Sequence, residues 1–186
     1  SGNWMINSIE GFNKKATEFY FYATKDSPLE QNLYAYNFKT KKIRRCTPEK
    51  GTHYAQFSTD GTLFLDSYSS STEPRRVALY DNKGKEIKQI HKSDNPWANL
   101  DMPEIDVFTI KAKDGTDLYA RMIKPLNFDA TKKYPVIVYV YGGPHAQLIT
   151  ESWLSGANNF FLFLAQQGYI VWTVDSRGSA NRGFEF

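Results

Sequence analysis

A single cysteine, Cys46, in 186 residues excludes an internal disulfide and any cysteine-rich metal site. Histidine is nearly as scarce. His53, His91 and His145 stand far apart, in no metal-ligand spacing, so neither a metal nor a cofactor is expected. An excess of one charge is also lacking: 23 Lys and Arg against 20 Asp and Glu leave a net charge of +3. That is too small and too evenly spread to recommend nucleic acid as a partner. The densest basic run, Lys41-Lys42-Ile43-Arg44-Arg45, alternates as a solvated strand face does. No apolar run approaches membrane-spanning length, and the opening SGNWMINSIE does not read as a signal peptide. What is present, 41% hydrophobic and 23% charged residues, describes a globular chain. Aromatics reach 16% and cluster in strand-like segments, which favours a sheet-rich fold.

The first hundred residues repeat. Tyr36, Lys39, Lys41 and Ile43 recur as Tyr80, Lys83, Lys85 and Ile87, an offset of 44, and Phe19-Tyr20-Phe21 falls at the same offset from Leu63-Phe64-Leu65. A period of this length built from short strands is a β-propeller blade signature. In the second copy, strands are expected at 53–58, 63–69, 77–81 and 86–90, with turns at Asp60-Gly61 and Asn82-Lys83-Gly84. In the first, they are expected at 18–23, 32–38 and 42–47, with an innermost strand near 4–8. Two blades cannot close a propeller, which usually takes four or more. A small antiparallel sandwich with accidental self-similarity is the competing reading.

From about Asp94 the pattern changes. Residues 95–105, with Pro96 and Pro103, read as a linker. Two strands, 106–112 and 118–123, flank the turn Lys113-Asp114-Gly115. A helix is expected over 153–167, with Phe160, Phe161, Leu164 and Ala165 on its apolar face and Gly168 at its end, then a strand at 169–174. Strand, helix, strand is a βαβ unit. The fold class is therefore mixed: blades over 1–94, a linker over 95–105, and the beginning of an α/β domain over 106–186.

Between the hairpin and that helix lies YPVIVYVYGGP, Tyr134 to Pro144. Val136, Ile137, Val138 and Val140 form a short β-branched run that reads as a strand buried on both faces. Tyr141 stands at its carboxyl end, where open α/β sheets bind ligands, and Gly142-Gly143-Pro144 forces a sharp turn. His145 reads as a loop histidine. Ser176 and Ser179 lack the G-x-S-x-G elbow that exposes a nucleophile, so Asp175 to Gly183 reads as a loop organising the approach to a site. Arg177 is a candidate partner for a carboxylate. Asp60-Gly61 and Asp114-Gly115 are turn chemistry.

Two blades, an antiparallel pair, and then VYVYGGPHAQ and VDSRGSANRG resemble the prolyl oligopeptidase family of serine peptidases, most closely its dipeptidyl peptidase IV branch, which includes bacterial prolyl tripeptidyl peptidases. The resemblance covers nearly the whole chain and is strongest over Tyr134 to Gly183. It implies an amino-terminal propeller capping an α/β-hydrolase domain, with peptide substrates bound between them. It also implies an oxyanion-hole role for the hydroxyl of Tyr141. Preorganised donors at a developing oxyanion contribute on the order of 3 kcal/mol each. Gly142 and Gly143 would let the turn approach substrate, and Pro144 would stiffen it.

By the same resemblance the nucleophilic serine, its acid and its histidine would lie beyond Phe186, so this polypeptide alone is expected to be inactive. The acids that hold a free substrate amino terminus would lie earlier in the propeller, and nothing aligns Asp26, Glu30 or Glu73 with that role. The expected activity of the complete protein is removal of di- or tripeptides after proline or alanine. Its expected partners are peptides with a free amino terminus and a second copy as homodimer, and its expected location is exported. An endopeptidase or acylaminoacyl peptidase of the same family is one alternative. A non-catalytic propeller-type binding module is another. An unpaired sheet edge is expected to promote self-association.

Overall fold

The computed structural model describes residues 4–143 and 145–186. Two four-stranded antiparallel sheets come first. β1 (Ile6–Phe12), β2 (Glu18–Ala23), β3 (Asn32–Asn37) and β4 (Ile43–Arg45) lie side by side in that order. β5 (Thr52–Phe57), β6 (Leu63–Ser69), β7 (Arg76–Asp81) and β8 (Glu86–Lys92) repeat the arrangement. The bounds of β3 and β7 differ by the same 44 residues as the sequence repeat, so each period is one blade. The strand expected at 4–8 runs instead over 6–12. Register shifts between Ile6 and Ser8 and between Ile9 and Gly11 carry it past the expected end, with Gly11 at φ 140°.

The blades share one apolar core. Tyr20, Tyr22, Leu33, Ala35 and Cys46 from the first pack against Phe64, Ala78 and Tyr80 from the second. Both hairpin tips of the second blade press on the backbone of the first. A Cβ on Gly84 would fall 2.3 Å from the Cys46 carbonyl oxygen, and one on Gly61 2.7 Å from that of Phe12. Only glycine permits this approach at φ 92° and 63°. Arg44 extends the seam, donating to Glu18 and to the Asn82 carbonyl, each at 3.1 Å.

The third sheet is mixed, in the order β11 (Val136–Tyr139), β12 (Ile170–Val174), β10 (Asp117–Ile123), β9 (Ile105–Lys111). β9 and β10 form the expected hairpin, and β11 runs parallel to β12 with a helix between them in sequence. That helix is shorter than expected. Trp153–Gly156 forms a 3-10 turn in which Leu154 and Ser155 are left-handed, and α1 covers only Asn159–Gln166. The Asn158 side chain accepts from the Phe161 N–H at 3.0 Å and starts the helix there. Gly168, at φ 91°, follows its end as expected. Phe161, Leu162 and Ala165 face the core beside Ile123 and Val171. Phe160 is exposed, a correction to the expected apolar face: it stacks on Phe163, one turn away on the outer side.

A second correction concerns β11. Val136, Val138 and Val140 are 52–61% exposed, and Ile137 and Tyr139 are also open. The strand is the last in its sheet, paired only with β12, and its cover from α1 is the contact of Tyr139 with Phe161. An apolar run shows what a strand is suited to pack against, and not what covers it.

Candidate functional site

Tyr141 lies two residues past β11 and is 56% exposed. Its hydroxyl has no hydrogen-bond partner among the described residues. The ring folds back over Gly143, where an added Cβ would lie 2.5 Å from Cε1 and 3.0 Å from the phenolic oxygen. Gly143 therefore leaves room for this ring, whereas a Cβ on Gly142 would meet nothing within 4 Å. Pro144 lies outside the described residues. His145 follows in a left-handed turn at φ 62°, and its N–H reaches the Gly178 carbonyl at 3.4 Å.

After His145 the chain runs as a strap between the third sheet and the blades. On the sheet side, Asp175 accepts from the N–H of Leu148 at 2.8 Å and of Ile149 at 3.1 Å. Arg121, fully buried in β10, donates to the carbonyls of Leu148 at 3.0 Å and Ser155 at 2.6 Å. Burial pushes the Arg121 guanidinium down to about 10, opposed by the nearby Asp175 charge, so it stays cationic at neutral pH. Burial also raises the Asp175 carboxyl, and the two N–H groups and Arg121 only partly oppose it.

On the blade side, Gln147 donates to the Pro28 carbonyl at 2.9 Å and the Glu151 N–H to the Leu29 carbonyl at 2.6 Å. The Glu151 carboxylate takes the Ser71 N–H at 3.0 Å, and its carbonyl takes the Thr52 hydroxyl at 3.1 Å. Both blades are thus bonded to the segment that leaves the Tyr141 turn. A cavity of about 840 Å3 opens beside it, walled by Trp4 to Asn7 of the first blade, by His145, and by Gly178 to Asn181, Gly183, Phe184 and Phe186.

Ser179 lines this cavity with His145, but no hydrogen bond joins them among the described residues. Arg177 does find a carboxylate, Asp114 in the β9–β10 turn, and also donates to Thr116 at 3.0 Å. The three acids that nothing aligned with a substrate amino terminus are engaged: Asp26 with Arg45 at 2.9 Å, Glu30 with Asn32 at 3.0 Å, and Glu73 with Lys92 at 3.0 Å. One pair resembles a catalytic dyad. His53 Nδ1 lies 2.6 Å from Asp66 and Nε2 lies 2.9 Å from the Glu49 carbonyl. Both side chains are sealed, at 0% and 1% exposure, and both ring nitrogens are occupied, so the pair braces the second blade. Among the described residues no three His, Cys, Asp or Glu side chains group as metal ligands, and no helix is long and apolar enough to cross a membrane.

Arg121, Asp175, Gln147, Asn181 and Glu151 carry this arrangement, and sequence reasoning singled out only the loop that begins at Asp175. Arg121 had a signal, an isolated cation inside the apolar strand Leu118 to Ile123. The others make their bonds to residues 26 or more positions away.

Repeated four-stranded blades bonded to a mixed sheet with a parallel pair define the class, a propeller-and-α/β architecture. The family model for the dipeptidyl peptidase IV (DPP IV) N-terminal region matches residues 1–75. The human protein dipeptidyl peptidase 8 is 32% identical over the whole of this chain, which spans 22% of that relative. Dipeptidyl peptidase 4 of Arthroderma otae is 31% identical, with 25% of its length spanned. Among solved structures, a candidate dipeptidyl aminopeptidase IV from Bacteroides ovatus is 43% identical with a TM-score of 0.89. Porphyromonas gingivalis dipeptidyl peptidase 4 is 27% identical with a TM-score of 0.87. Each is matched over this whole chain and over 26% of its own. The family-model match and these likenesses support the dipeptidyl peptidase IV branch for this chain, which spans about a quarter of the length of each relative.

Proposed function

We propose that this chain is the part of a serine exopeptidase that joins the propeller to the catalytic domain. Residues 1–94 supply two blades, 95–105 the linker, and 106–186 the first strands of an α/β-hydrolase peptidase domain. The complete enzyme releases di- or tripeptides from free amino termini, after proline or alanine. Tyr141 donates its hydroxyl to the oxyanion of the tetrahedral intermediate, and Gly142, Gly143 and Pro144 shape the turn beside the substrate. The serine, acid and histidine of the triad lie outside these residues.

One observation carries the reading. A tyrosine whose hydroxyl has no partner among the described residues stands at the carboxyl end of a parallel strand, in a chain related throughout to dipeptidyl peptidases. Such a hydroxyl is available to a developing negative charge. An endopeptidase or acylaminoacyl peptidase would use the same turn, and the state of the substrate amino terminus separates them. The complete protein is expected to cleave Ala-Pro-p-nitroanilide or a tripeptidyl analogue and to spare the amino-terminally acetylated forms. It should lose activity to a serine-directed fluorophosphonate. Preferred cleavage of the acetylated forms, or indifference to the fluorophosphonate, contradicts the proposal. The 186-residue chain alone is expected to give no inhibitor-sensitive turnover.

A further inference from the structure

Three side chains meet where the first blade touches the loop after β12. The Gln147 carbonyl accepts from Asn181 Nδ2 at 2.6 Å while its own amide donates to the Pro28 carbonyl at 2.9 Å. The Asn181 carbonyl accepts from the Thr24 hydroxyl at 3.2 Å. Asn181 sits at φ 69°, a left-handed conformation that asparagine tolerates better than most residues. Gln147 therefore bridges three stretches of chain: the strap two residues after His145, the blade loop at 24–28, and the cavity-lining loop at 178–183.

We propose that Gln147 and Asn181 form a buckle that sets the spacing between the first blade and the Tyr141 turn, and thereby governs how well a peptide fits the cavity. Both are positioning residues, and the fit component rests on the peptidase reading above. The chemistry supports a buckle over incidental contact. Each end of the Gln147 amide is used in its only productive sense, donor to a carbonyl and acceptor from an N–H. The bonds join segments 34 and 119 residues apart in sequence. Asn181 also lines the cavity directly. Loosening the buckle changes the cavity width without removing the Tyr141 hydroxyl or any triad group, so substrate binding weakens more than the chemical step.

The test uses the complete protein with Gln147→Ala, Gln147→Glu and Asn181→Gly. The Glu variant still accepts from Asn181 but cannot donate to Pro28, and the Gly variant keeps the left-handed backbone without the amide. Hydrogen exchange read by mass spectrometry is expected to quicken in both 24–31 and 178–183 for Gln147→Ala and Asn181→Gly. The global unfolding midpoint should be little changed. Peptidase KM is expected to rise about fivefold, the equivalent of one net hydrogen bond, with kcat changed less than about twofold. Gln147→Glu should give an intermediate shift. Unchanged exchange in the two segments overturns the buckle, whether or not the protein is a peptidase. Quickened exchange with unchanged KM overturns the role in fit. A kcat that falls in proportion with unaltered KM overturns it equally. If the parent protein shows no peptidase activity, the proposed function fails, while exchange still decides the buckle.

Discussion

His53 and Asp66 illustrate how burial separates bracing from chemistry. With no exposed face and every ring nitrogen occupied, the pair cannot reach a substrate, and removing one partner strands the other in a dry core. Asp66→Ala is expected to lower stability by roughly 3 kcal/mol, read as a urea midpoint shift at unchanged m-value. A shift near zero would show that water reaches the pair. Cys46 is likewise sealed, and burial pushes its thiol up to about 11 against the lowering influence of Arg44. Its labelling by a disulfide reagent at neutral pH should follow global unfolding; fast labelling in the native state would contradict the packing. Asp175 gives a pH signature. Its carboxyl is raised in the fold, so the folded chain keeps a proton that the unfolded chain has lost. Stability relative to Asp175→Asn should therefore be greatest below about pH 4 and decline as pH rises through the raised value. A flat difference across that window would place the carboxylate in water.

At the scale of elements, the hairpin of β7 and β8 shows why glycine is required where blades meet. Gly84→Ala would drive a methyl into the Cys46 carbonyl at a left-handed φ, and should cost roughly 2 kcal/mol in thermal or urea unfolding. A neutral result would mean that the seam between blades is slack. Strand positions were legible because blade strands repeat and alternate: Tyr36 and Tyr80 mark β3 and β7, and Asp60-Gly61 marks the turn before β6. The helix start was not. The breaking stretch Ser155-Gly156-Ala157-Asn158 competes with an apolar period that runs through it, and only the Asn158 cap decides where α1 begins. The strap was illegible for a different reason. Arg121, Asp175, Gln147 and Glu151 act on backbone groups 26 to 119 residues away, and such bonds leave no periodic trace in sequence.

At the scale of the whole molecule, two blades and a mixed sheet are held together by few but directional bonds, most of them converging on residues 147–155. The likeness to dipeptidyl peptidases was readable from VYVYGGPHAQ and VDSRGSANRG, whereas the exposure of β11 was not. That exposed apolar edge predicts self-association of the 186-residue chain, with Val138→Lys shifting sedimentation toward monomer. A wild-type chain that stays monomeric at tens of micromolar would contradict it.

The proposed place of the Tyr141 hydroxyl in an oxyanion hole is tested by removing that single oxygen. On the proposed function, Tyr141→Phe in the complete protein is expected to lower peptidase kcat by roughly 10² to 10³ with little change in KM, because the lost bond would be made only in the transition state. An unchanged kcat would contradict the assignment.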